Sequence, residues 1–176
     1  GDPVFAYNLG WTAYNTARWS LAQEWFEKAV EIDPAYSDAV NYLGLIAENM
    51  NNPEDAIRIF KNGLVGDAEH KNMRYNLGRI YYDQGVLDES KQCMELTLKQ
   101  NPASVEAMNY LGLIEKSQGN RDKAEAWFKQ GELLNASYYY PLYNLGVLYY
   151  ENNDYTAAIE YFSRTIEIEP TNVYAY

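Results

Sequence analysis

At five positions spaced by 34 residues, an asparagine and a tyrosine stand side by side. The pairs are Tyr7-Asn8, Asn41-Tyr42, Tyr75-Asn76, Asn109-Tyr110 and Tyr143-Asn144. An asparagine amide offers both a hydrogen-bond donor and an acceptor, and a tyrosine offers a flat apolar ring with a polar tip. These groups suit contacts with a peptide backbone and its side chains. The pattern therefore favours sequence-tolerant capture of an extended polypeptide.

Residues that could carry out catalysis are scarce. His70 is the only histidine and Cys93 the only cysteine, so the sequence offers no histidine pair for a metal and no identifiable base for the thiol. A glycine-rich phosphate loop is also missing, and the carboxylates are scattered as on solvated helix faces. We expect a protein that is not an enzyme and has no catalytic residue, no metal site and no cofactor.

A Leu-Gly dipeptide follows each asparagine and tyrosine pair and recurs every 34 residues, with glycines at Gly10, Gly44, Gly78, Gly112 and Gly146. A small residue follows 12 positions later, at Ala22, Ala56, Ser90, Ala124 and Ala158. A Phe or Met comes 4 positions after that, at Phe26, Phe60, Met94, Phe128 and Phe162. Because a unit this short cannot bury an apolar face alone, the copies must stack into a solenoid.

Glycine within a helix costs about 1 kcal/mol relative to alanine, so five regularly spaced copies indicate a close approach by a neighbouring helix. We expect the small residue of the second helix, such as Ala22, to provide the matching gap.

The pattern resembles the tetratricopeptide repeat, including a proline at the connections Pro34, Pro102 and Pro170. The resemblance implies an all-α fold, a right-handed α-solenoid of antiparallel helix pairs. It predicts one array over residues 1–176, with repeats at about 3–36, 37–70, 71–104, 105–138 and 139–172 and a partial sixth at 173–176.

Helix boundaries follow from capping and turn residues. The first helices are predicted near residues 3–16, 37–50, 71–84, 105–118 and 140–152, and the second helices near 19–31, 53–65, 87–99, 121–134 and 155–168. Asn52 before Pro53 predicts an N-cap, and Ser20 and Asp122 have the spacing of capping boxes. Gly85, Gly119 and Asn153 are predicted to lie in turns.

In the family that the sequence resembles, the first helices line a concave groove, and the offsets of the asparagine and tyrosine pairs face a bound peptide. The resemblance therefore implies a non-catalytic protein-interaction scaffold that binds an extended peptide or a partner helix. The implied groove residues are Tyr7, Asn8, Asn41, Tyr42, Tyr75, Asn76, Arg79, Tyr82, Asn109, Tyr110, Tyr143 and Asn144. The alternative for any one tyrosine is packing between repeats.

Composition restricts the partner. A net charge of −11 argues against nucleic acid or an anionic membrane as the main partner and favours a neutral or basic protein or peptide. No apolar run approaches the roughly 20 residues of a membrane span. A soluble protein is expected; its compartment stays open, with the cytoplasm favoured, because a targeting signal could have been removed.

Odd and even repeats differ systematically, since Ala29, Thr97 and Thr165 alternate with Gly63 and Gly131. Duplication of a two-repeat ancestor and deliberate design both explain this alternation. The rival function is therefore a structural spacer or a self-assembling array, natural or designed, without a dedicated ligand; a groove for sugars is a third reading. We expect end-to-end association or fraying at the terminus that carries Val173, Tyr174 and Tyr176.

Overall fold

Ten α-helices form the fold in the computed structural model, which describes residues 1–171 and contains no strand in that range. The helices are α1 (Pro3–Asn15), α2 (Trp19–Ile32), α3 (Ser37–Asn49), α4 (Pro53–Gly66), α5 (Lys71–Asp83), α6 (Leu87–Gln100), α7 (Val105–Ser117), α8 (Arg121–Leu134), α9 (Tyr139–Glu151) and α10 (Tyr155–Ile168). Every predicted helix is confirmed, and each end lies within one residue of its prediction.

The chain divides into two compact units, Gly1–Gly85 and Val86–Tyr176. In the first unit each helix from α1 to α5 packs on the next, and α3 also touches α5. In the second unit the same holds from α6 to α10, and α7 also touches α9. The predicted partial sixth repeat, with Val173, Tyr174 and Tyr176, lies outside the described residues.

Five residues spaced by 34 positions lie in the turns between the two helices of each pair. Ala17, Asn51, Gly85, Gly119 and Asn153 all have a left-handed backbone, with φ between 55° and 78°. The three turn residues that the sequence predicted are thereby confirmed. Alanine is unusual at such a position, because its Cβ crowds the backbone where glycine is unstrained.

The next helix begins two residues after each left-handed position, and this fixes the N-caps. Asn52 caps α4 as predicted, since its side chain accepts a hydrogen bond from the backbone N–H of Asp55. The capping boxes at Ser20 and Asp122 were wrong: both residues lie inside their helices, and Arg18 and Asn120 occupy the cap positions. The turn, rather than the capping chemistry, sets these two helix starts.

The recurring glycines lie against phenylalanine rings of the paired second helix. An ideal Cβ built on Gly44 would lie 2.5 Å from Cε1 of Phe60, and one on Gly146 would lie 2.5 Å from Cε1 of Phe162. Gly10 and Gly112 meet Phe26 and Phe128 in the same way. The predicted close approach is therefore confirmed at these four glycines, where the nearest atoms belong to the ring. The gap expected at the small residue of the second helix stays a prediction.

The alternation between odd and even repeats reflects size matching between a second helix and the next first helix. A Cβ on Gly63 would come within 2.5 Å of Met73 Sδ, and one on Gly131 within 3.2 Å of Pro141 Cγ. Where the second helix carries Ala29, the residue ten positions on is Ala39, and both are fully buried. A glycine on the second helix thus faces a large residue on the next first helix. An alanine on the second helix is instead followed by an alanine on the next first helix.

None of the helices within residues 1–171 is both long and apolar enough to cross a membrane.

The glycine contacts predict an opposite response of two alanine variants of the same helix pair. Gly44→Ala should destabilise the protein by about 1–3 kcal/mol, because the methyl group overlaps the ring of Phe60. Gly66→Ala should be neutral or stabilising by up to about 1 kcal/mol, because a Cβ there meets no atom within 4 Å and alanine favours a helix. Urea denaturation midpoints test this, and equal midpoints for the two variants would contradict the close-packing account.

Candidate functional site

All twelve predicted groove residues lie on first helices: α1, α3 and α5 in the first unit, and α7 and α9 in the second. Helical spacing places each asparagine and tyrosine pair one turn before Trp11, Leu45, Arg79, Leu113 or Val147. We call this surface the first-helix face and describe it separately in each unit.

Aromatic rings of the first unit pack on one another and on the core. The ring of Tyr42 stacks on Phe26 with centroids 5.0 Å apart, and it meets the edges of Tyr7 at 5.9 Å and Tyr14 at 5.0 Å. Tyr7 also lies 5.2 Å from Tyr36. Burial raises the pKa of Tyr7 and of Tyr14 above the ordinary tyrosine value. Both hydroxyls are therefore neutral hydrogen-bonding groups at physiological pH.

The asparagines form pairs between neighbouring first helices. The Asn76 amide nitrogen donates to the Asn41 side-chain oxygen at 3.0 Å, and Asn144 donates to Asn109 at 2.8 Å. Asn41 and Asn109 are 5% and 4% exposed. Sequence reasoning had aimed these amides at a peptide backbone, but one hydrogen bond of each pair joins α3 to α5 or α7 to α9. Asn8 differs, because its side chain is exposed.

Arg79 carries the positive charge of the first-helix face in the first unit. Its guanidinium group binds both carboxylate oxygens of Glu48 at 2.5 Å, and it lies 3.9 Å from Asp83. Burial raises the pKa of the Asp83 carboxyl group, and the nearby Arg79 opposes this rise. The bidentate geometry fixes α5 on α3, and the carboxylate of Glu48 offsets the positive charge of Arg79.

The first-helix face of the second unit combines packed and exposed aromatic rings. Tyr143 lies 5.9 Å from the partly buried ring of Phe162, and Tyr110 is half-buried. Tyr150, by contrast, is 60% exposed and meets Tyr155 edge-on. Lys116 is bound to Glu151 at 2.8 Å, which is a second ion pair between neighbouring first helices.

Two exposed aromatic residues at repeat positions represented in the predicted set were missing from it. Trp11 is 48% exposed and occupies the same repeat position as Arg79, which the prediction included. Tyr150 occupies the same position as Tyr82, another predicted residue. The spacing rule alone would have found both, since each lies a multiple of 34 residues from a chosen candidate.

The first-helix face carries aromatic and charged side chains next to one another. It offers aromatic rings with polar tips, and its ion pairs leave the exposed carboxylates of Asp38 and Asp83 at the margins. Within residues 1–171, no group of three or more histidine, cysteine, aspartate or glutamate residues could hold a metal ion. The only histidine has a structural role: His70 caps α5 by accepting from the Met73 backbone N–H, and it lies 3.2 Å from Asp38.

Family comparisons cover nearly the whole sequence. The tetratricopeptide repeat family matches residues 5–36, 25–58, 43–92, 75–138 and 139–172.

Curated relatives are longer than this chain. The type IV pilus assembly protein PilF of Pseudomonas aeruginosa is 25% identical over 138 residues, which is 77% of this chain and 54% of that protein. Tetratricopeptide repeat protein 6 of Homo sapiens is 25% identical over 155 residues, covering 87% of this chain and 29% of that protein. A UDP-N-acetylglucosamine–peptide N-acetylglucosaminyltransferase of Giardia intestinalis is 31% identical over 98 residues, covering 54% of this chain and 7% of that enzyme. The chain therefore spans about half of these relatives or less.

Solved structures share the fold. The Pseudomonas aeruginosa PilF structure has a TM-score of 0.88 at 20% identity, covering 98% of this chain and 79% of that one. YrrB, described as a TPR protein with an unusual peptide-binding site, has a TM-score of 0.75 at 20% identity, covering 99% and 90%. At these identities the likeness shows the fold alone, an all-α solenoid of helix pairs.

The asparagine pairs predict a loss of stability when one amide is removed. Asn109→Ala should destabilise the protein by about 1–3 kcal/mol, because the buried amide of Asn144 loses its acceptor. Asn8→Ala is the matched control and should change stability by less than about 0.5 kcal/mol, since Asn8 is exposed. Thermal or urea unfolding measures both variants. A stable Asn109→Ala protein would show that this pair contributes little to the packing of α7 on α9.

Proposed function

The chain belongs to the tetratricopeptide repeat family, and on that premise we propose that it is a non-catalytic scaffold that binds an extended peptide or a partner helix along its first-helix face. The twelve predicted residues remain the proposed lining, and Trp11 and Tyr150 join them as exposed aromatic anchors. The observation that carries this proposal is the exposure of these rings, 48% for Trp11 and 60% for Tyr150, on a face otherwise built from packed tyrosines.

Relatives support the class of function. YrrB is described as peptide-binding, and PilF is named for the assembly of a pilus. The Giardia relative is a transferase, but the matched segment is 7% of that enzyme, so we assign its activity to no residue here. Aromatic rings are also the side chains most often found at the energetic centre of protein interfaces.

Charge selects among peptides. Asp38 has a side chain that is 63% exposed and Glu151 one that is 53% exposed, and the whole chain carries a net charge of −11. A basic peptide approaching the first-helix face meets an attractive field, whereas an acidic one is repelled. The proposed ligand is therefore a neutral or basic segment, and its affinity falls as salt rises.

Self-association in register, the rival function, is disfavoured by the size-matching rule. Phe5 is 63% exposed and occupies the repeat position of Met73 and Pro141, which stand opposite glycines. Thr165, on α10, occupies the position of those glycines but carries a side chain. Stacking α10 of one copy on α1 of another would place Thr165 against Phe5. At the two joints within the chain where a large residue stands at this position, the residue that faces it is glycine.

The binding proposal is tested with peptides selected from a random library against the whole chain. Trp11→Ala should weaken peptides that bind the first unit, and Tyr150→Ala those that bind the second, each by at least about tenfold, which corresponds to roughly 1.4 kcal/mol. Val65→Ala and Leu133→Ala are matched controls, because these residues are 87% and 86% exposed but lie on second helices. Isothermal titration calorimetry at two salt concentrations measures the affinities.

Two results would contradict this proposal. If the control variants weaken binding while Trp11→Ala and Tyr150→Ala do not, the binding surface lies on the second helices. If no peptide is selected and sedimentation velocity shows oligomers that grow with concentration, the self-assembling reading replaces the scaffold.

A further inference from the structure

A cleft of about 430 Å³ opens between the second helices α2 and α4, with α3 as its floor. Its apolar lining includes Leu43, Ile46, Ala47 and Ile59. Gln23 and Glu27 lie on the α2 side, and Asn52, Asp55 and Arg58 lie on the α4 side, with Met50 between. The volume falls within the range of about 300–1,000 Å³ typical of ligand sites. None of the residues of the first-helix face lines this cleft.

The cleft exists because one repeat position holds a small residue. This repeat position holds Ala13 and Ala47 in the first two repeats and Tyr81, Glu115 and Tyr149 in the later ones. In the second unit, Tyr149 is the counterpart of Ala47, and the counterparts of Gln23, Glu27 and Ile59 are Glu125, Lys129 and Tyr161. These sets of residues are 102 positions apart.

A tyrosine side chain fills this place in the second unit. The ring of Tyr149 stacks on Tyr161, with centroids 5.5 Å apart and planes 5° apart. Its hydroxyl donates to Glu125 Oε1 at 2.7 Å, and Lys129 donates to the same carboxylate at 2.7 Å. Leu145 and Leu148 form the buried floor, at 0% and 3% exposure. The chain therefore contains its own example of how a phenol ring is held between two second helices.

The first unit keeps the same framework without the ring. Leu43 and Ile46 replace the two leucines of the floor, and Ile59 offers an apolar side chain where Tyr161 stands. Gln23 donates its amide N–H to Glu27 Oε1 at 2.7 Å, which leaves its carbonyl oxygen to accept a hydrogen bond as Glu125 does. Apolar walls, floor and acceptor are all present, and the side chain of residue 47 is a methyl group.

We propose that this cleft binds a tyrosine side chain of a partner protein, with the ring between Ile59 and the α3 floor and the hydroxyl donating to the Gln23 side-chain oxygen. The site goes beyond the proposed peptide surface, since it lies between second helices. A tyrosine buries about 150–250 Å² when enclosed, which makes it an efficient anchor. Phosphotyrosine is disfavoured, because the carboxylates of Glu27 and Asp55 line the cleft and Asp55 already binds Arg58.

The experiment uses the whole chain with labelled isoleucine and methionine methyl groups and follows the Ile59 and Met50 signals by NMR. N-acetyl-tyrosinamide is the probe and should give saturable shifts confined to the cleft. N-acetyl-phenylalaninamide, which lacks the hydroxyl, should bind roughly 2- to 10-fold more weakly, the range expected for one hydrogen bond. The phosphorylated probe should give no saturable shift.

Variants complete the test. Ala47→Tyr should fill the cleft and abolish the shifts, whereas Lys61→Tyr, an exposed tyrosine on the same helix α4, should leave them unchanged. Gln23→Leu should abolish the preference for the hydroxylated probe. A folded Tyr149→Ala variant should gain a second probe site, reported by leucine methyl signals of Leu145 and Leu148.

Several outcomes would overturn the proposal. These are an absence of saturable shifts in the unmodified chain, binding that persists in Ala47→Tyr, or tighter binding of the phosphorylated probe. Trp11→Ala and Tyr150→Ala should leave the cleft shifts intact, so a failure here and a failure of the first-helix face as a peptide site are separate results.

Discussion

Phenylalanine rings packed on glycines hold the helix pairs of this protein together. Phe26, Phe60 and Phe128 are fully buried, and each lies where a methyl group on the facing glycine would overlap it. This contact brings the two helix axes close, and a left-handed residue closes the turn between them. Ring, glycine and turn recur together in four of the five repeats, with Met94 in place of the ring in the third, so these four pairs share a nearly fixed geometry on which neighbouring pairs stack.

The joints between pairs are where the repeats differ. At one position, a second helix carries glycine where the next first helix has a large residue, or alanine where the next first helix has alanine. The two facing side chains therefore have a matched total volume in both cases. At another, Glu115 binds Lys91 at 2.6 Å with its side chain 3% exposed, Tyr149 binds Glu125, and Ala47 leaves a cleft. The pair must keep its packing, whereas the joint tolerates an ion pair, an aromatic ring or a cavity. We therefore place the two proposed binding sites at a joint and on the first-helix face.

The sequence predicted the helices to within one residue, because the spacing of Gly, Phe and turn residues directly encodes the pair. It placed the capping boxes wrongly, since the left-handed turn residue at Ala17 or Gly119 decides where the next helix begins. The asparagine pairs were seen as a pattern, but their mutual hydrogen bonds depend on how far α5 lies from α3, which no local signal reports. The cleft at Ala47 could be recognised only after Tyr149 was found in the corresponding place.

A double-mutant cycle on Gly44 and Phe60 tests the central contact most directly. The ring atoms nearest to a Cβ on Gly44 are Cε1 and Cζ of Phe60, both at 2.5 Å, and leucine at position 60 lacks both atoms. Gly44→Ala should therefore destabilise the unmodified protein but cost at least about 1 kcal/mol less in a Phe60→Leu background, as measured by equilibrium denaturation. Additive effects of the two substitutions would contradict the account, because the glycine would then be required for a reason other than the ring.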